Sequence, residues 1–211
     1  MGHGDAMHLT KFSPDMPGLQ VWDCHENKRD GSSFRDAATG KVFFQVKSGI
    51  DVGRCMAADI DPTNPGVEMW SWESKGLRNI KGEVVNPDIK TFSVNMAVWW
   101  DGDLLRELLN KNVVSKYDWE AGVCKPLVTF EGAVSNNGTK ATPCLQGDIL
   151  GDWREEVLLR TEDNTALRLY VSPIATDYRF HTFLEDPVYR ISIATCLLYT
   201  SPSPRDVEES R

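Results

Sequence analysis

The run Thr10–Trp22 aligns without a gap to Ala58–Trp70, which sets the two tryptophans 48 residues apart. A third copy, Gly147–Leu158, is one residue shorter in its loop. A period of about 40–50 residues is the length of one β-propeller blade. Each copy joins a polar turn to an alternating apolar strand such as Val67 and Met69 or Val157 and Leu159. Between the copies lie further strand signals. Arg35–Phe44 reads as strand, Thr39-Gly40 turn, strand, and Ala166–Val171 alternates as a strand. Asp103–Lys111 holds a helical period through Leu104, Leu105 and Leu108, but a strand pair from Trp99-Trp100 around an Asp101-Gly102 turn competes for it. The expected fold is all-β, a partial β-propeller, with a β-sandwich as the other arrangement of many short strands.

Charge narrows the partners. The 211 residues are long enough to bury a real core, and they carry a net charge of -8. No basic stripe exists to neutralise phosphates, so nucleic acid is excluded as a partner. No apolar run approaches the roughly 20 residues that cross a bilayer. Cys24, Cys55, Cys124, Cys144 and Cys196 form no C-x-x-C pair, so neither a zinc site nor a redox motif is expected, and cysteine usage leaves the compartment open. The histidines lack metalloprotease spacing. Glu155 and Glu156 fall on opposite faces of a strand and cannot act as a facing glycosidase pair. Of Trp70, Trp72, Trp99, Trp100, Trp119 and Trp153, most are expected in the core, though any could stack on a sugar ring.

The acidic turns point to calcium, which takes six to eight oxygen ligands from carboxylates, carbonyls and water. Asp59 and Asp61, closed by Glu68 from the next strand, form one such set, and Asp148, Asp152 and Glu156 form a second. In the first copy Lys11 and Ser13 replace the two aspartates, so any ion there falls to His3, Asp5 or Glu26. The competing reading is a plain solvated turn, because Asp, Pro and Gly are ordinary turn residues.

Several phrases taken together resemble the family-eleven rhamnogalacturonan lyases. They are Gly2–His8, Asp51–Arg54, Asp59–Trp70, Trp99–Leu108, Leu150–Val157 and Asp186–Arg190, and the likeness runs through residues 2–194. The resemblance implies a secreted, calcium-binding enzyme on an eight-bladed propeller, monomeric at full length, of which this chain is a C-terminal portion of three to four blades. It makes Met1 an internal residue. The implied reaction is β-elimination across the rhamnose–galacturonate bond of rhamnogalacturonan I. The proton beside a uronate carboxylate is weakly acidic, so the developing negative charge needs a cation and the proton needs a base. By resemblance Lys140 is the proton acceptor and Arg54 the carboxylate clamp, or the reverse, and Asn137, Gly138 and Thr139 contact the sugar. On pattern alone Asn137–Lys140 is an ordinary hairpin turn. The alternative function is a calcium-stabilised propeller that binds glycan or protein without catalysis.

The tail from Cys196 to Asp206 resembles the translation of a transposase-type sequencing-library adapter. Residues 1–195 are therefore expected to form the propeller fragment, and 196–211 a non-native, disordered tail.

Overall fold

A computed structural model of the chain describes residues 3–72 and 76–198. Four antiparallel sheets follow one another along the chain. The first holds β1 (Met7–Thr10), β2 (Gln20–Cys24), β3 (Ser32–Asp36) and β4 (Val42–Val46). The second holds β5 (Cys55–Ala58), β6 (Glu68–Ser71), β7 (Leu77–Arg78) and β8 (Val84–Asn86). The third holds β9 (Met96–Val98), β10 (Glu107–Asn110), β11 (Val113–Asp118) and β12 (Val123–Thr129). In these three, each strand pairs with the next in sequence, so short turns suffice.

The fourth sheet holds β13 (Ala133–Val134), β14 (Leu145–Gly147), β15 (Glu156–Thr161) and β16 (Leu167–Tyr170), and it breaks the pattern. Val134 faces Arg160 on β15, Leu145 faces Leu158 on the same strand, and β16 takes the opposite edge. Thus β13 and β14 are two halves of one first strand, interrupted by residues 135–144.

The sheets bury their faces against one another. On β5, Cys55 and Ala57 enter a core shared with Trp22 and Phe34 of the first sheet, while Met56 and Ala58 enter a core shared with Leu108 and Tyr117 of the third. A third core joins Val98, Trp100 and Leu109 to Val157 and Leu159. A strand buried on both sides has no use for polar alternation, which explains the continuous apolar run at β5. Tryptophans also clasp successive sheets. The Trp22 indole N–H donates to the Trp70 carbonyl at 3.1 Å, and the Trp70 indole N–H donates to the Ser93 carbonyl, just before β9, at 2.8 Å.

The helical reading of Asp103–Lys111 is overturned: the segment is a loop leading into β10. Leu108 and Leu109 are consecutive yet feed two different cores, which a strand allows and one apolar helix face does not. A short 3-10 turn (Phe183–Glu185) precedes α1 (Pro187–Leu198), which packs on β1 and β14. The helix continues through Cys196 to Leu198, and 199–211 lie outside the described residues. The other four cysteines are free thiols. No described helix is long and apolar enough to cross a membrane.

Candidate active site at the leading ends of the first strands

All four first strands start at the same end of their sheets, and the residues leading into them converge. Asp5 precedes β1, Arg54 precedes β5, Asn95 precedes β9, and Lys140 lies in the segment that interrupts the fourth first strand. Arg54 donates from its two terminal nitrogens to the Asp5 carbonyl at 3.5 Å and the Asn95 carbonyl at 3.4 Å, both long. Its Nε is buried with no hydrogen-bond partner. Three other arginines hold a carboxylate: Arg35 has Asp23 at 2.6 Å, Arg106 has Glu155 at 3.3 Å and Arg154 has Asp152 at 2.8 Å. Among the described residues no carboxylate lies within 4.0 Å of Arg54. Lys140 reaches the same acidic residue, its Nζ 3.5 Å from Asp5 Oδ2. Arg54 and Lys140 therefore both contact Asp5, the first at its carbonyl and the second at its carboxylate. His8, on β1, donates from Nε2 to the Cys55 carbonyl oxygen at 3.1 Å, and burial, with the charges of Arg106 and Arg54, lowers its pKa to about 4. It is neutral, so with a carbonyl as its partner that nitrogen is the donor.

The segment 135–144 is shaped from within. Asn137 Oδ1 accepts the Lys140 amide at 2.8 Å, and Asn137 Nδ2 donates to Thr142 Oγ1 at 2.8 Å. The Ser135 hydroxyl donates to the Asn137 carbonyl at 2.8 Å, and Asn136 Nδ2 donates to the Pro143 carbonyl at 3.1 Å. Ala141 is buried with φ 51°, a left-handed conformation unusual for a residue with a Cβ. These constraints push Gly138 and Thr139 outward and turn Lys140 onto Asp5. A Cβ at Gly138 would meet nothing within 4 Å, so its backbone is open to a ligand. Both polar groups of the Asn137 amide are engaged inside the segment.

His3, Asp5 and Glu26 form a cluster whose ligand atoms all lie within 4.8 Å of one another. His3 Nδ1 is 2.9 Å from Glu26 Oε1. The trio sits beside Arg54 and Lys140, at the end of the first sheet opposite the turn 11–19. An ion held by these residues would thus belong to the cationic end and not to that turn.

The repeated turns occupy the other end, between each first and second strand. In three of them a glutamate that opens the second strand accepts two consecutive loop amides through one oxygen. Glu68 takes Ile60 and Asp61 at 3.0 Å each, Glu107 takes Trp100 at 2.9 Å and Asp101 at 3.1 Å, and Glu156 takes Ile149 at 2.8 Å and Leu150 at 2.9 Å. Gln20 does half of this, accepting from Phe12 at 3.0 Å. What faces the second oxygen differs. Glu68 Oε1 is buried and unpartnered, and burial with Asp59 and Asp61 nearby raises the Glu68 pKa to about 8. Burial and Asp61 raise Asp59 to about 6. At Glu107, the Lys116 ammonium lies 2.9 Å from Oε1 and 2.8 Å from Asp103, and also bonds Asp101. Asp148 is committed to the Trp153 and Phe183 amides, and Asp152 to Arg154. Neither Asp59, Asp61 and Glu68 nor Asp148, Asp152 and Glu156 converge within the 4.8 Å that Asp101, Asp103 and Glu107 achieve.

Sequence reasoning missed this Asp101–Glu107–Lys116 set. The signal was present, because Asp101 follows Val98 as Asp61 follows Ala58, but the shorter loop broke the gapless alignment. It also missed Glu155, whose carboxylate accepts from the Trp99 amide at 2.9 Å, Gln146 at 3.0 Å and the Tyr189 hydroxyl of α1 at 2.8 Å. Of the six tryptophans weighed for the core, Trp70, Trp100 and Trp153 are buried, Trp99 is half-buried, and Trp72 and Trp119 are exposed; Trp22 is buried as well.

Four antiparallel sheets in succession, with cationic residues converging at one end and acidic turns at the other, define an all-β scaffold. The chain belongs to rhamnogalacturonan lyase family 11, whose C-terminal domain pattern matches residues 1–204. It is 53% identical over 196 residues to the rhamnogalacturonan endolyase YesW of Bacillus subtilis (strain 168), covering 92% of this chain and 31% of that protein. It is 45% identical over 211 residues to the rhamnogalacturonan exolyase YesX of the same organism, covering 92% and 34%. The crystal structure of YesW superposes with a TM-score of 0.89 at 52% identity over 94% of this chain and 34% of that one. The Bacillus licheniformis rhamnogalacturonan lyase PL11 gives 0.88 at 48% identity, over 94% and 34%. The chain spans about a third of the length of these relatives.

Proposed function

We propose that the protein of which this chain is part cleaves the rhamnose–galacturonate bond of rhamnogalacturonan I by β-elimination. One observation carries the reading: Arg54 is a half-buried guanidinium with no carboxylate of its own, an orphaned Nε, and a lysine beside it. A buried cation left unpaired is costly unless an anionic ligand completes it. A uronate carboxylate seated on Arg54 places its acidic C–H toward Lys140. The base takes that proton, the released electron pair forms the new C=C bond, and the bond to the rhamnosyl oxygen breaks. That oxygen leaves with a proton, and an unsaturated uronate remains. Gly138 and Thr139, on the exposed part of the segment, are placed to meet sugar hydroxyls.

Calcium belongs to the same proposal. His3, Asp5 and Glu26 converge, and Glu68 holds an unpartnered buried oxygen beside Asp59 and Asp61. An oxygen-rich donor set of this kind suits calcium. When bound there, the ion supplies positive charge that relieves repulsion among the acids. Asp148, Asp152 and Glu156 are weaker candidates, since internal donors already use their oxygens. The meander order and the cores between successive sheets support a partial propeller, three to four blades of eight; export and a monomeric whole protein are part of the same proposal.

The test is the ultraviolet absorbance of the unsaturated product, with rhamnogalacturonan I and calcium present. Lys140→Ala and Arg54→Ala should each lower kcat/KM at least about a hundredfold. Unchanged rates in both variants, with folding intact, would leave a glycan-binding scaffold without catalysis.

A further inference from the structure

We propose that Trp72 is a stacking platform for the rhamnose joined to the uronate on Arg54, and that it lets the site choose rhamnogalacturonan over a chain made only of galacturonate. The inference deepens the reading above and rests on it. Cys55 pairs with Ser71, so the next pair in register is Arg54 opposite Trp72. The Trp72 amide donates to the Arg54 carbonyl at 2.9 Å, which carries the pairing one step beyond the strands. Directly opposed residues of an antiparallel pair project to the same face, with Cβ atoms about 5 Å apart. The indole and the guanidinium therefore rise from neighbouring points on one side of the second sheet.

Exposure separates Trp72 from the other indoles. It is 68% exposed, whereas Trp22, Trp70, Trp100 and Trp153 are at most 3% exposed. Trp119, 40% exposed, sits after β11, at the acidic-turn end away from Arg54 and Lys140. Only Trp72 among these combines an open ring with the cationic end.

The chemistry picks the sugar. A 6-deoxy sugar such as rhamnose presents C–H groups and a methyl, which suit an aromatic face. A second galacturonate in that place would bring a carboxylate, whose charge gains nothing from the electron-rich face of an indole. Arg54 thus selects for a uronate and Trp72 for an uncharged neighbour.

Titration of the whole protein of which this chain is part, carrying Lys140→Ala so that no cleavage occurs, with rhamnogalacturonan I oligosaccharides and with oligogalacturonates, by calorimetry, tests this. Trp72→Ala should weaken the rhamnogalacturonan oligosaccharide about tenfold and leave the weaker oligogalacturonate binding unchanged. Trp72→Phe should recover most of the loss, and Trp119→Ala should bind as the parent does. If Trp72→Ala does not fold by circular dichroism, Trp72→Phe and Trp72→Gln carry the comparison, the first binding well and the second poorly. Equal affinity in all variants overturns the inference and leaves the rhamnogalacturonan reading standing. No saturable binding by the whole parent protein removes that reading, and the inference falls with it.

Discussion

Lys116 shows how one side chain settles a cluster of like charges. Its ammonium touches Asp101, Asp103 and Glu107, and although burial works against it, those carboxylates raise its pKa. Burial, helped by the Asp101 charge, pushes Glu107 up to about 7, with the lysine opposing. Lys116→Met should cost roughly 2–3 kcal/mol, less than the 3–5 of a fully buried pair because the lysine remains partly exposed. Adding Asp101→Asn and Asp103→Asn should restore much of it, as read from urea midpoints. His8 sets a different dependence. Its folded pKa of about 4 lies below the ordinary 6.5, so between those values the unfolded chain binds a proton that the folded chain excludes. Stability should therefore fall as pH drops from 6.5 to 4, by up to roughly 2–3 kcal/mol, and His8→Gln should flatten the curve. Asn137 acts through position, since its amide fixes the Lys140 backbone. Asn137→Ala should cost about 1 kcal/mol of stability and reduce kcat well beyond what that loss explains.

The element scale is where the sheets are tied together. Trp70 fills the core between the second and third sheets and donates to Ser93, so Trp70→Ala should destabilise by about 3–5 kcal/mol. Denaturant melts with sheet-specific probes should show both sheets loosening together. The repeat was legible in the sequence because turn chemistry and strand alternation recur in linear order. Its consequence for β5 and β6 was readable too, since an apolar run such as Cys55–Ala58 has no solvent face. Other features lay beyond a linear reading. Lys116 answers a turn from a strand two positions later, and Glu155 collects donors from β14, the loop before β10, and α1. The split of one strand into β13 and β14 cannot be seen until both halves are found on β15. Arg54, Lys140 and Asp5 are far apart in sequence; the family resemblance named the first two and the search for ion ligands named Asp5, but only the fold brings the three into contact.

The whole molecule has an apolar outer stripe on its last sheet. Leu167, Leu169 and Val171 point the same way on and after β16 and are 61%, 45% and 48% exposed. Such a stripe favours association. The chain should self-associate with rising concentration in sedimentation, and Leu167→Lys with Leu169→Lys should shift it toward monomer. With calcium held as proposed, chelation should lower the unfolding temperature, most of all near neutral pH, where Glu68, its pKa raised to about 8, resists ionising without a counter-charge. The split strand of the fourth sheet has a consequence for descent. Val134 and Leu145 are anchored to one partner strand, so the stretch between them behaves as an exchangeable cassette. Kindred chains could lengthen, shorten or rewrite it and acquire a new grip on a polymer without disturbing the sheet that carries it.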